Sequence, residues 1–484
     1  MQFRSKTIFT GVVWSLVDTI ANFALKFFFA LAITRMLSPR DYGLVAYTGL
    51  FLGIASWLSE GGFGLALIQK KDPVESDYST GYFFNVLVSI LFCMAYFIMA
   101  PWMASYFGEP DLENIMKVMS ITLVLNSLCY IHLIKLIKNI QFKQQAVLNF
   151  ISSVISGTIG LTMAYYGYGY WALIFQTLSG AVLKMVGLWA VVRWRPVFVF
   201  SWYSFKEQFK FGSKVFFQGL FESIFREINS LVVGKSYHTS ALGNYSRGQK
   251  FYDLFIIQTG TAFNKVLYPA MAKEADKAEL QKKIYVKVYN LLFFIMAPVS
   301  VFLFLLAEPL IQVLLTQKWH DAVPYMRLFF IAGFVATLMS FNSSTMLSSN
   351  RPNIFLVMDI IHKSLMAIAL LLTFKISIKA IIVGWLVVNY LFFIIYELMM
   401  FKLQYFEKGK YIKMLQVLLG LLPGIAFHYV MQHFVSGQLY TLLLNIVFQP
   451  VIYLAVMRLS GASVYKDFSL LIKPMLPAKI RFVI

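Results

Sequence analysis

About fourteen apolar stretches of membrane-spanning length run through this chain, and several carry ionisable residues well away from their ends. A span needs about 20 mostly apolar residues, and a charge near the bilayer centre costs at least about 2.5 kcal/mol. Such a residue therefore faces a water-filled cavity or a partner. Here the polar positions form two stripes. Asp18, Asn22 and Lys26 follow i, i+4, i+8 spacing within 12–31, and Gln218, Glu222 and Arg226 repeat that spacing about 200 residues later, within 211–233. Matching stripes in two halves point to an internal repeat around a polar pathway, the pattern of a transporter.

Composition fixes the class. The chain is 59% hydrophobic and 13% charged, with mean hydropathy +0.70, whereas a soluble domain is about 25% charged. The alternating segments of about ten residues that mark a β-barrel are absent. The expected fold is an all-α polytopic membrane protein of about 14 transmembrane helices. They are placed near 11–34, 42–69, 81–105, 115–137, 145–166, 169–192, 211–235, 242–271, 284–307, 321–348, 353–374, 379–401, 412–433 and 438–457. Aligning the polar stripes gives two pseudo-symmetric six-helix bundles around a central cavity, 1–200 and 201–410. Two extra helices and a tail, 411–484, follow. Gly43 and Gly243 share the same offset.

The net charge of +20 suggests nucleic acid at first sight, but topology accounts for it. Segments on one side hold clusters such as Lys135/Lys138/Lys143, Arg193/Arg195/Lys206/Lys210 and Lys402/Lys408/Lys410/Lys413. In all they carry roughly 26 Lys and Arg against about 6 on the other side, a positive-inside bias. Both termini are expected in the cytoplasm. Arg4 and Lys6 precede a segment that carries Asp18 and Lys26 and lacks an A-x-A site, so the first span is expected to be retained. Cys93 and Cys129 fall inside spans and read as small apolar residues. The sequence has no Walker A pattern, and neither a G-x-S-x-G elbow nor an H-E-x-x-H motif. A non-enzymatic secondary transporter without cofactor or metal is the expectation.

The run Leu37–Asp72, LSPRDYGLVAYTGLFLGIASWLSEGGFGLALIQKKD, closely resembles the polysaccharide transporter family of bacterial Wzx-type flippases, with the colanic-acid-exporter-like branch nearest. Ala241–Lys250 (ALGNYSRGQK) extends the resemblance. It implies the fold of the multidrug/oligosaccharidyl-lipid/polysaccharide exporter superfamily, with helices 1, 2, 7 and 8 lining much of a V-shaped cavity. The implied substrate is an undecaprenyl-diphosphate-linked oligosaccharide moved across the bacterial inner membrane. The implied partners are membrane lipid, a polysaccharide polymerase and a chain-length regulator, with H+ or Na+ as coupling ion and no nucleic acid. A lipid II flippase shares the same lipid handle, and a MATE-like multidrug exporter is the other alternative.

A lipid diphosphate needs fixed cations along a hydrated path, and Arg offers a bidentate fork where Lys offers a point charge. The candidates are Lys26, Arg226, Arg247, Lys250 and Lys265. Snorkelling at a span end is the plain alternative for Lys265. Glu222 and Arg226 stand at i, i+4 in the favourable order, as a self-neutralising pair or as a switch that releases Arg226 to the diphosphate. Acids that burial would make protonatable are the candidates for ion coupling: Asp18, Glu60 and Glu222, with the cluster Asp359, His362 and Lys363 as a proton relay or an interfacial group. Lys184 and Arg327 rank lower. His132, His428 and His433 read as structural.

Overall fold

A computed structural model describes residues 2–49, 52–53, 63–260, 278–348, 352–405, 409–435 and 437–473. Every regular element among the described residues is helical. Met1–Gly243 forms one compact unit and Asn244–Ile484 a second. In unit one the helices are α1 (Gln2–Met36), α2 (Pro39–Ala46), α3 (Phe63–Gln69), α4 (Glu75–Phe107), α5 (Asp111–Lys138), α6 (Phe142–Tyr165), α7 (Trp171–Val191) and α8 (Trp202–Ser236). Helix α9 (Thr239–Tyr252) crosses the division. Unit two continues with α10 (Ala278–Leu310), α11 (Val323–Ser348), α12 (Pro352–Thr373), α13 (Ile378–Lys402), α14 (Lys410–Phe434), α15 (Gln438–Leu459) and α16 (Ser463–Ile472). This division by packing is distinct from the repeat in the hydropathy, whose first half ends near residue 200.

Eleven stretches among the described residues are long and apolar enough to cross a membrane. The chain is a multi-pass membrane protein. The three expected spans outside that set are 42–69, 211–235 and 242–271. Residues 50–51 and 54–62 of the first and 261–271 of the last lie outside the described residues. The middle one belongs to α8, a continuous helix whose Lys214, Glu222, Arg226 and Glu227 make it too polar to qualify. Helix α8 also begins at Trp202, earlier than the expected 211. Ser201 caps it by accepting from the Ser204 amide at 3.2 Å. Trp202, Phe205 and Phe209 then stack along the first turns, with centroids 5.1 and 5.5 Å apart. The second half of Arg193–Lys210, which reads as a polar connection, is therefore the first turns of a helix.

Local signals set several other ends. Ser38 and Asp41 form a capping box with Pro39 at the first helical position of α2, an arrangement that stabilises a start by about 1 kcal/mol. Gly108 closes α4 in the left-handed region, φ 74°, where a Cβ would be strained. Within unit one α4 packs on α5, α6 on α7, and α1 on α6. One core gathers Leu67, Tyr78, Tyr82, Ile131, Ile134 and Trp194. In unit two α10 is the hub, meeting α11, α14 and α15. The α14–α15 hairpin is docked there, with Tyr453 Oη donating to the Phe294 carbonyl at 2.9 Å.

Lys410, which the sequence places among the topological loop charges, is instead buried. Its Nζ meets Glu397 Oε2 at 2.6 Å, with the two side chains 3% and 8% exposed, and sits 3.7 Å from the Tyr289 ring centroid. Removing one partner of such a pair leaves an uncompensated buried charge. Lys410→Met is expected to lower stability by about 3 kcal/mol, and Glu397→Leu in the same chain to recover most of it. Thermal unfolding in detergent reads both; a single variant as stable as the parent would contradict the assignment.

Candidate functional site

In unit one the turn after α1 meets the turn after α8. Each opens a short helix, α2 at Pro39 and α9 at Thr239, and each presents a glycine one turn in. A Cβ on Gly43 would collide with the Thr239 carbonyl, and a Cβ on Gly243 with the Pro39 carbonyl. Positions 39 and 239, like 43 and 243, are related by the repeat offset. The contact is reciprocal, as a two-fold arrangement requires.

Side chains fasten this crossing. Tyr47 Oη donates to the Gly234 carbonyl at 2.8 Å. Thr239 Oγ1 donates to Glu109, and Lys235 Nζ to the Tyr106 carbonyl. Arg40 Nη2 lies 3.0 Å from Glu109 and 3.8 Å from Asp111, so the acidic turn Gly108–Glu113 anchors the assembly. At the other end of unit one, Lys70 Nζ bridges Asp77 at 3.0 Å and Glu207 at 2.8 Å. Gln208 Nε2 donates to the Asp77 carbonyl at 3.0 Å. Helix α8 is thus held to unit one at both ends.

Between these fastenings lies the stripe of α8. Glu222 is exposed and the Arg226 side chain is 57% exposed. Spacing predicts Glu222 as the partner of Arg226, but Arg226 Nε meets Glu227 Oε1 at 3.2 Å. Successive Cα positions diverge by about 100°, yet two long side chains span that angle when the arginine lies along the helix surface. Glu227 itself rests against Gly49, where a Cβ would come within 3.3 Å of its Oε2. The Gln218 side chain lies outside the described residues.

The stripe of α1 divides. Positions four apart wind by about 40° per step, so Lys26 points away from Asp18, and it is exposed. Asp18 and Asn22 face α6 instead. Asn149 Nδ2 donates to both Asp18 carboxylate oxygens at 3.2 and 3.3 Å. Asn22 Nδ2 donates to the Asp18 carbonyl at 3.0 Å, and Ser153 Oγ to Asn22 Oδ1 at 2.9 Å. Sequence reading missed Asn149 and Ser153; the polar row Asn149, Ser152, Ser153 and Ser156 on the fifth span was the available signal.

In unit two Arg247 is buried with its guanidinium 5.4 Å from the Trp319 ring centroid, a cation–π stack within the fold. Lys250 is exposed. Arg327 pairs with Glu308 at 3.2 Å. Asp359 and Lys363 form the i, i+4 bridge that their spacing predicts, at 2.8 Å, and His362 packs on Phe392 at 4.7 Å. Glu60 and Lys265 lie outside the described residues. Among the described residues no group of three His, Cys, Asp or Glu is placed to hold a metal.

Residues 32–324 match the family described as Polysaccharide biosynthesis protein. The chain belongs to that family. The Wzx-type resemblance at Leu37–Asp72 falls inside the matched region. Relatives include the succinoglycan biosynthesis transport protein ExoT of Rhizobium meliloti (strain 1021), 25% identical over 335 residues, covering 69% of this chain and 68% of that one. The lipopolysaccharide biosynthesis protein WzxC of Escherichia coli (strain K12) is 21% identical over 360 residues, covering 73% and 72%. In fold the chain is similar to the lipid II flippase MurJ in an inward closed conformation, with TM-score 0.75, 15% identity, and 94% and 99% coverage. It is also similar to an inward-facing MATE family multidrug resistance transporter, with TM-score 0.58, 13% identity, and 79% and 96% coverage.

Two outcomes follow for this polysaccharide biosynthesis family member. Gly43→Val forces the crossing apart, so a cysteine replacing Leu242, which is fully buried beside it, should label with aqueous maleimide faster than it does with Gly43 intact. Equal rates would contradict the contact. The Lys70 clamp responds to pH in a defined sense. Burial lowers its pKa, but hydrogen bonds and charge from Glu207 and Asp77 outweigh this, and the net shift is upward from 10.5. A raised folded pKa gives stability that is fully present below the unfolded value and lost as pH rises through the folded one. Replacing Lys70 with Met should therefore lower the unfolding temperature equally from about pH 6 to 9, since lysine stays charged below about 10.4. A Lys70 contribution that faded within that range would count against the clamp.

Proposed function

We propose that this protein is a flippase. It moves undecaprenyl-diphosphate-linked oligosaccharide repeat units from the cytoplasmic to the periplasmic leaflet of the bacterial inner membrane, for exopolysaccharide, capsule or O-antigen synthesis. The carrying observation is that Lys26, Glu222 and Arg226 stand in the middle of long helices yet are exposed. A charge so placed is not tolerated against hydrocarbon. Water along α1 and α8 satisfies it, and so does an anionic headgroup passing by.

In this reading about 14 helices form two six-helix bundles and an added pair, with both termini cytoplasmic. Lys26 and Arg226 receive the diphosphate, and Arg226 exchanges its single contact with Glu227 for phosphate oxygens, which its fork binds in a bidentate manner. The Gly43–Gly243 crossing is the periplasmic closure, and its separation releases the substrate outward. Asp18, held by Asn149 and Asn22, is the coupling group; taking up H+ or Na+ there changes its hydrogen bonding and the packing of α1 on α6. Asp359, Lys363 and His362 are the second coupling candidate. No covalent chemistry is required.

Polysaccharide units are favoured over lipid II by the family match and by relatives named for succinoglycan and lipopolysaccharide biosynthesis; the MurJ likeness supports the fold. A MATE-like exporter of organic cations would be poorly served by exposed lysine and arginine in the path. The test is flipping of a labelled undecaprenyl-diphosphate oligosaccharide in proteoliposomes under an imposed H+ or Na+ gradient. Lys26→Gln with Arg226→Gln should slow flipping about tenfold or more, equivalent to about 1.4 kcal/mol. Parental rates from a correctly inserted double variant would sink the proposal.

A further inference from the structure

The connection between α7 and α8, residues 192–201, is rigidly fixed and yet presents large rings outward. Its backbone is tied to α4: the Val197 amide donates to Ser79 Oγ and the Ser201 amide to Thr80 Oγ1, both at 3.0 Å. Trp194 is buried, donates through Nε1 to Glu75, and packs between Tyr82 at 6.0 Å and His132 at 5.2 Å. Against this fixed frame Phe198 is 94% exposed, Tyr203 77% and Trp202 60%. Arg193, Arg195, Lys206 and Lys210 surround them and are all exposed. No acidic residue lies between Arg193 and Lys206, and Glu207 is engaged by Lys70 at 2.8 Å.

The position says what covers this ledge. Helix α4 begins, and α5 and α7 end, at the same end of unit one, which is where spans leave the bilayer. Phe198 lies 5.4 Å from Phe83 of α4. From there the exposed apolar row Leu87, Leu91, Met94 and Ile98 continues along α4. The ledge is therefore the end of a lipid-facing stripe, with basic groups added. Aromatic rings favour the headgroup level, and apolar rings combined with lysine and arginine bind anionic bilayer surfaces. We propose that residues 193–210 form a preformed anchor seated in the adjacent leaflet, with Phe198, Trp202 and Tyr203 below the headgroups and the four basic side chains on anionic phospholipid. A flexible linker would leave the start of α8 free; this one fixes it at the membrane surface.

The test uses the full-length protein with Cys93→Ser and Cys129→Ser, carrying one cysteine labelled with an environment-sensitive fluorophore. Nanodiscs of phosphatidylcholine with and without phosphatidylglycerol supply the bilayer. A label at Phe198→Cys, and independently at Tyr203→Cys, should be shielded from aqueous iodide and quenched by lipid brominated near the glycerol. The same label at Asp72→Cys, in the exposed turn before α4, should show the reverse. Arg193→Gln, Arg195→Gln, Lys206→Gln and Lys210→Gln together should reduce the preference for spin-labelled phosphatidylglycerol over phosphatidylcholine about twofold or more, with helicity unchanged. Iodide quenching at 198 and 203 equal to that at 72 would overturn the anchor and mark the ledge as a face for a soluble partner. An unchanged lipid preference would overturn the headgroup contact.

Discussion

A charge at membrane depth must have water or a counter-charge within reach, and that requirement decides where the ionisable residues of this chain lie. Two solutions occur side by side. Glu397 with Lys410, Arg327 with Glu308 and Asp359 with Lys363 satisfy each other within unit two. Lys26, Glu222 and Arg226 in unit one are exposed on their helices, Arg226 with Glu227 beside it at 3.2 Å. The first solution neutralises each charge within the fold. The second fits the proposed aqueous surface along the helix, and it is the physical basis of the transport reading.

In the proposed cycle the reciprocal glycine crossing bounds that surface. Backbone meets backbone at Gly43 and Gly243 because neither carries a Cβ, and close approach of this kind excludes water without needing a large apolar plug. Tyr47, Thr239 and Leu242 are buried beside it, while Arg40, paired with Glu109 and Asp111, is exposed, so the crossing combines tight backbone packing with outer ion pairs that water can replace. A contact so built is suited to opening. At the other end of unit one the Lys70 clamp and the fixed connection before α8 hold that helix in place, so that in the proposed cycle it moves with unit one.

Much of this was legible in the sequence, for reasons specific to each element. Apolar length alone identifies most spans, because a membrane helix has no other way to satisfy its backbone. The offset that pairs Gly43 with Gly243 is readable because a close crossing leaves no latitude in residue choice. Other features depend on long-range packing and could not be read. Lys410 looks like a loop charge until α13 and α14 fold back and bury it with Glu397. Arg247 reads as a cavity cation, but its surroundings are set by Trp319, about 70 positions away. Arg226 finds Glu227 because side-chain reach outweighs the angular separation on which spacing rules rest. The polar face of α6 escaped notice because Asn149 and Ser153 are uncharged, and their role depends on Asp18 arriving opposite them.

In the proposed mechanism the stripes of α1 and α8 face water at membrane depth. Cysteine at Lys26 or Arg226, in full-length protein with Cys93 and Cys129 replaced by serine, can be probed with a membrane-impermeant charged thiosulfonate in reconstituted vesicles. Leu91, 56% exposed midway along α4, is the lipid-facing control. Rapid modification at 26 and 226 and none at 91 is expected. Protection at 26 and 226 equal to that at 91 would place both side chains against lipid and rule out the aqueous path.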